Sequence, residues 1–192
     1  IAQCRHYNEK VRLNAVQGML EILQSHDVKR TGKSLSDILQ CLLEALVDSS
    51  TRVRKAVLQV LAVLLKPAPP LSKGAKAHKE TKPLQHLQQQ AKLKPFVPLL
   101  LVHAFKAMTH LNQGVSIDGI QALSVMLSEL GQAICEQDDA FFRRLIQNFN
   151  AILTQLFAET TNVEVRSKFV EKLVGGIEAA LVLFRRRSPE RR

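Results

Sequence analysis

Tryptophan is absent from this chain, tyrosine occurs once and aromatic residues make up only 5%, whereas Leu, Val, Ile and Ala are plentiful. That balance speaks against the aromatic and β-branched make-up of sandwiches and barrels and favours helix packed on helix. Also missing is any run of about 18 uncharged apolar residues, which a membrane span requires, and no signal-peptide succession is present. No membrane partner is expected. The three cysteines, Cys4, Cys41 and Cys135, are odd in number, far apart and set among apolar residues. They read as small core groups in a reduced intracellular compartment rather than a disulfide framework. The chain opens at Ile1 without a methionine and already in helical pattern, so the expectation is a trimmed chain whose natural start lies elsewhere.

Catalytic signatures are lacking as well. There is no glycine-rich phosphate loop, no G-x-S-x-G elbow and no H-E-x-x-H, so no enzyme activity and no cofactor are expected. Cys4 and His6 are two apart but have no second ligand pair nearby, and an ordinary surface pair is the better reading than zinc. His103 and His110, seven apart, fall on one helical face and read as packed histidines bonded to backbone. Asp138-Asp139 reads as a helix cap, not a catalytic pair.

What the chain does contain is helical periodicity. The stretch Pro95 to Asp118, PFVPLLLVHAFKAMTHLNQGVSID, places Phe96, Leu99, Leu100, Val102, His103, Ala107, Met108 and Leu111 in a stripe broad enough for a helix between two neighbours. Gly114 would hand over to the next helix through a left-handed residue, with Ser116 as its cap. Upstream, Asn8 caps a helix carrying Val11, Ala15, Val16, Met19, Leu20 and Leu23. Ser34 and Asp37 form a capping-box pattern before Leu35, Ile38, Leu39, Leu42, Leu43 and Leu46. Asp48-Ser-Ser is a turn, and Thr51 to Leu65 runs up to Lys66-Pro67. Downstream, Asp138 to Phe157 and Asn162 to Phe184 form a helical pair, with a bend expected at Gly175-Gly176.

A repeat emerges from these helices. Val11-Arg12 recurs as Val53-Arg54 and Val165-Arg166, and Ile120, Leu123, Leu127 and Leu130 keep the spacing without the dipeptide. A period of about 40 to 47 residues built from helix pairs is the signature of HEAT or armadillo repeats, which stack because each pair has two faces to bury. The expected fold is all-α, a short HEAT/armadillo-like α-solenoid of about four helical hairpins. Asp48 is expected to pair with Arg54, and Glu164 with Arg166.

The net charge of +10 is localised. Lys66 to Pro95 has a balance of +6 and Arg185 to Arg192 one of +4, so the rest of the chain is neutral. Prolines, lysines and the tract Gln85 to Gln90 mark the first as a flexible insertion. The expected organisation is HEAT-like repeats over 1–65, a basic insertion over 66–94, HEAT-like repeats over 95–184 and a basic tail over 185–192. Lys73, Lys76, Lys79, Lys82, Lys92, Lys94, Arg185, Arg186, Arg187, Arg191 and Arg192 are candidates for contact with nucleic-acid backbone. With no aromatic between Pro67 and Pro95 to stack on bases, such contact would be non-specific; the alternative is a solvated linker and an import-like patch.

Cys4-Arg-His6-Tyr7-Asn8, Leu35-Ser-Asp-Ile38-Leu39, Val53-Arg54 and above all Pro95-Phe96-x-Pro98-Leu99, His103, Ala107-Met-Thr-His110, Gly114 and Asp118 resemble the Ipi-one family of pre-rRNA-processing proteins over about Ala2 to Glu136. The resemblance implies a non-catalytic subunit of the Rix complex, with a HEAT-like scaffold subunit and a WD-repeat subunit as partners. It further implies action on pre-60S ribosomal particles in nucleolus and nucleoplasm, internal-spacer processing of pre-rRNA, and an indirect relation to the AAA ATPase midasin. Partner binding is expected from His6, Tyr7, Asn8, Phe96, His103, Met108 and His110. Two other classes compete. A peptide or import adaptor of armadillo type would want Trp and Asn ladders, and a non-specific RNA-binding helical protein would want basic residues on its folded body.

Overall fold

Thr51–Leu65 shows how the sequence builds its elements. Ser50 stands in extended conformation and its side chain accepts from the Val53 amide, satisfying one of the first turn's free donors. From there Val53, Ala56, Val57, Val60, Leu61 and Leu64 bury one face and Leu58 and Leu65 a second. Lys66 leaves the helix with ψ 145°, as a residue preceding proline prefers. A helix buried on two sides needs two neighbours, and this one has them.

The computed structural model describes residues 2–25, 35–66, 91–136, 139–159 and 163–187. Within them the helices are α1 (Glu9–Ser25), α2 (Leu35–Glu44), α3 (Thr51–Leu65), α4 (Val97–Met108), α5 (Gln113–Glu129), α6 (Gly131–Cys135), α7 (Asp139–Glu159) and α8 (Val163–Arg187). Single 3-10 turns at Ala2–Arg5, Ala45–Val47 and Lys94–Phe96 lead into α1, α3 and α4. The order of contact is α1 on α3, α3 on α5 and α5 on α8, forming one layer. Against it lies a second layer in which α2 meets α4 and α4 meets α7. This is the expected α-solenoid. Its core is mainly aliphatic, with Leu39, Leu42, Leu43, Leu46, Leu61, Leu100, Ile120, Leu123 and Leu127 fully buried and Phe141, Phe142 and Phe149 buried on α7. At the α4–α7 contact, Phe105 and Phe141 stack with ring centroids 5.7 Å apart.

Several details differ from the sequence reading. Gly114 has no positive φ and lies within the first turn of α5; Asn112, not Ser116, is the cap, accepting from the Val115 amide at 3.2 Å. Ser116 is buried and donates instead to the carbonyl of Met108. Gly175 and Gly176 do not interrupt the helix: α8 continues through both. At Gly176 a β-carbon would meet Ile120 at 3.1 Å, so this glycine lets α8 lie close on α5. The broad stripe on α4 is also rotated: Val97, Leu100, Leu101, Ala104, Ala107 and Met108 are buried, while Leu99, Val102 and Leu111 face solvent.

Helices α4 and α5 approach each other closely at Gly119. A β-carbon on Gly119 would stand 2.5 Å from the Met108 nitrogen and 2.6 Å from the Ala107 carbonyl carbon. Only a hydrogen fits there, and the two backbones pack directly.

The folded body is less neutral than the charge map predicts. Lys92 and Lys94 belong to it, Lys94 pairing with Glu136, and Arg185, Arg186 and Arg187 form the last turn of α8 rather than a tail. Cations there suit the negative helix end. Lys73, Lys76, Lys79, Lys82, Arg191, Arg192, the Ser34 and Asp138 caps and the glutamine tract lie outside the described residues, as do the side chains of Cys135, Glu164 and Arg166.

Candidate protein-docking edge

Three turns of one design precede α1, α3 and α5. In the first, the Asn8 amide donates to His6 Nδ1 at 3.1 Å, and Asn8 Oδ1 accepts from the Lys10 amide at 2.9 Å. In the third, the Asn112 amide donates to His110 Nδ1 at 3.0 Å and Asn112 Oδ1 accepts from Val115. Between them the Ser50 amide donates to Asp48 Oδ1 at 2.8 Å and Ser50 Oγ accepts from Val53. Each is an acceptor, any residue, a cap, then a helix. A side chain locks the turn and the next cap satisfies the helix end, so the middle residue is held rigidly outward.

Those middle residues are Tyr7, Ser49 and Leu111. Tyr7 is 90% and Leu111 86% exposed, far more than the other large apolar groups among the described residues. The Tyr7 ring rests at a tilt on His6, centroids 4.4 Å apart.

Arginines tie the turns together from within. Arg12 grips its own turn through the carbonyls of His6 and Tyr7, both at 2.9 Å, and reaches Asp48 of the next turn with paired bonds of 2.7 and 2.9 Å. Asp48 holds the Arg12 guanidinium above its ordinary pKa. Arg54 repeats the motif one step on. It donates to the carbonyls of Asp48 and Ser49 and to Thr51 Oγ1, and its Nε meets Asp118 Oδ2 at 2.6 Å. The sequence reading paired the Asp48 carboxylate with Arg54. In the structure it belongs to Arg12, because a helix-start arginine points toward the following repeat while its own turn offers only carbonyls. In the third repeat Ser116 takes the arginine's place and grips Met108.

Of the residues expected to meet a partner, Tyr7 and Asn8 are exposed and His6, Phe96, His103 and His110 are half-buried. His110 is not on the face of α4; it lies beyond the helix end, its Nδ1 accepting from an amide rather than donating to a carbonyl. Met108 is fully buried and cannot be part of a docking surface. Glu44 on α2 is held below the usual carboxylate range chiefly by the hydrogen bonds from Arg5, then by Gln40, with His103 near enough to contribute least. The edge therefore unites His6, Tyr7, Asn8 and His110, and leaves Phe96 and His103 on the other layer. Leu111 was missed as a site residue. The signal was His-x-Asn standing twice in the sequence, at 6–8 and 110–112.

Next to the edge, the Ala2–Arg5 turn is fastened to α2. Arg5 Nε and Nη2 bond both Glu44 oxygens at 2.8 Å. Cys4 and Cys41 are buried free thiols that share a hydrogen bond, which lowers Cys4 to about 7 and raises Cys41. The cause is mutual: the first thiolate is stabilised by the remaining S–H, and that charge with burial opposes the second ionisation. Among the described residues there is no group of three or more potential metal ligands, and no helix is long and apolar enough to cross a membrane.

The architecture defines an α-solenoid of HEAT type, and residues 38–67, spanning α2 and α3, match the HEAT repeat. Residues 91–176 match the family described as "Rix1 complex component involved in 60S ribosome maturation". The resemblance carried by Pro95 to Asp118 is borne out. Among solved structures, a chain of a Rix1-Rea1 pre-60S particle superposes with a TM-score of 0.63 at 14% identity, over 96% of this chain and 65% of that one. This chain thus spans about two thirds of the length of that neighbour, and the likeness is one of fold over nearly all of this chain.

Proposed function

We propose that this chain is a subunit of a Rix-type complex in large ribosomal subunit maturation, contributing a docking solenoid and no catalysis. The observation that carries this is the family match over α4 to α8, together with a fold shared over 96% of the chain with a component of a Rix1-Rea1 pre-60S particle. A HEAT-like scaffold subunit and a WD-repeat subunit are its direct companions, with the pre-60S particle and the midasin-type ATPase Rea1 reached through them. The site of action is the nucleus, in nucleolus and nucleoplasm. Stacked helix pairs suit such a role because they offer long, rigid surfaces whose side chains are not consumed by the core.

The docking residues are His6, Tyr7, Asn8 and His110 on the turn edge, with Phe96 and His103 on the opposite layer. Lys73, Lys76, Lys79, Lys82, Lys92, Arg185, Arg186, Arg187, Arg191 and Arg192 make non-specific contact with rRNA phosphate. Lys94, already paired with Glu136, is the weakest member of that set.

The test is a pull-down from nuclear extract with the intact chain and with residues 67–90 and 188–192 deleted, washed at low and high salt. Retention of the scaffold and WD-repeat subunits by both forms at high salt is the expected result. Binding that disappears with the deletions or with salt, leaving RNA alone, would make the chain an electrostatic RNA binder and end the docking reading.

A further inference from the structure

We infer that the turn edge carrying Tyr7, Ser49 and Leu111 binds an extended, acidic segment of a partner protein, two of whose apolar side chains cover Tyr7 and Leu111. The inference rests on the docking function above and names the kind of ligand this edge takes.

Three observations fix that chemistry. The two apolar anchors occupy equivalent positions in turns locked by the same histidine and asparagine bonds, so they cannot fold back to hide themselves. A protruding, immobilised apolar group loses little entropy on binding, which is what a recognition anchor requires. Between the anchors stands Ser49, small and exposed, leaving a track for a chain to pass. Helices in contact lie about 8–10 Å apart, so two steps from the first turn to the third cover roughly 20 Å. About six extended residues span that distance.

Charge supplies the sign of the segment. Of the edge's own carboxylates, Asp48 is paired with Arg12 and Asp118 with Arg54, while Glu9, which accepts from the Ser50 hydroxyl at 2.8 Å, keeps its charge and is outnumbered by the three cations beside it. Lys10, Arg52 and Lys106, at the helix ends beside these turns, are exposed and pair with no described carboxylate. An anionic strand would be drawn to this edge and an unlike strand held off. Nucleic acid would also be anionic, but the Tyr7 position is repeated as leucine, which has no face on which a base can stack. The pairing of aliphatic and aromatic anchors favours protein.

The experiment uses the chain with its purified scaffold and WD-repeat companions. Binding is measured for the intact chain, for Tyr7→Ala with Leu111→Ala, for Lys10→Glu with Arg52→Glu and Lys106→Glu, and for Val102→Ala, an exposed residue off the edge. Overlapping peptides tiling the companions and a uridine oligonucleotide serve as direct probes, and melting is followed throughout. Both edge variants should lose roughly tenfold or more in affinity at unchanged melting temperature, Val102→Ala nothing, and the peptides bound should be acidic with two apolar residues about six apart. If the intact chain does not join its companions, the docking function itself fails. If it joins and both edge variants bind as tightly as the intact chain, the function stands and this edge is not the site. Oligonucleotide binding that the same variants abolish, without peptide binding, would overturn the proposal in favour of RNA.

Discussion

Arg54 and Asp118 stand 64 residues apart in sequence, yet their side chains meet at 2.6 Å in the interior, with Arg54 only 3% exposed. The pair joins α3 to α5 and so fixes one half of the solenoid against the other across the insertion. Arg54 also holds the Asp48–Ser50 turn from beneath, so its guanidinium is both a register pin between repeats and part of the support of the edge.

Removing one partner of such a pair leaves the other buried and unsatisfied. Arg54→Ala or Asp118→Ala should cost roughly 3–5 kcal/mol, read from urea unfolding, whereas replacing both by apolar residues of similar volume should recover most of it. Arg5→Ala, which breaks an exposed pair with Glu44, should cost far less, because solvent screens that pair. Equal losses from Arg5 and Arg54 would contradict this assignment of burial.

Gly119→Ala forces a β-carbon into the Ala107–Met108 backbone, and neither helix can yield without losing its packing. A loss of about 1–3 kcal/mol or more is expected. Gly175→Ala should act oppositely. Nothing lies within 4 Å of its β-carbon position, and alanine in a helix interior is favoured by roughly 0.5–1 kcal/mol. Thermal melting of the two variants separates close approach from helix propensity.

Capping should be measurable independently at two equivalent turns. Asn8→Ala and Asn112→Ala each delete a cap, and about 1 kcal/mol apiece is expected. The sites belong to different repeats with no shared partner, so the double variant should show the sum. A double-variant loss well beyond that sum would mean that the two turns are energetically coupled.

Cys4 should titrate near neutral pH. Its folded pKa of about 7 lies below the ordinary thiol value of about 8.5, so between these values the unfolded chain holds more protons. Stability gained from this thiol is therefore present above about 8.5 and lost as pH falls through about 7. The β-carbon NMR shifts of labelled cysteine should show the transition, and Cys41→Ala should move it up toward the ordinary range. An unmoved midpoint would show that the Cys41 thiol is not its cause.

The repeat was legible because its period is carried by apolar side chains, and those obey helical spacing whatever else surrounds them. Asn8 as cap, the turn at 48–50 and the helix ending at Lys66 were legible for the same local reason. The rotation of the α4 stripe was not. Leu99 and Val102 are apolar and in phase with a helix, but which apolar residues are covered depends on where α2, α5 and α7 lie. Gly175 and Gly176 likewise look like a break, and only the position of Ile120 explains the second glycine within a continuous helix. Met108 stood out by its place in a motif yet is buried, while nearby Leu111, outside the motif, is the one at the surface.

By itself the sequence determined the fold class, the helix-pair repeat and the family resemblance that the match over 91–176 bears out, since each depends on short-range pattern: spacing of apolar residues, caps, breakers and a dense motif. Tertiary structure alone decided which arginine meets which aspartate, because that choice depends on how one repeat is stepped against the next. It also decided that two His-x-Asn turns, more than a hundred residues apart in sequence, share one edge and hold Tyr7 and Leu111 out from it. Stacking brings equivalent positions side by side, and a surface made of equivalent positions exists only once the stack has formed.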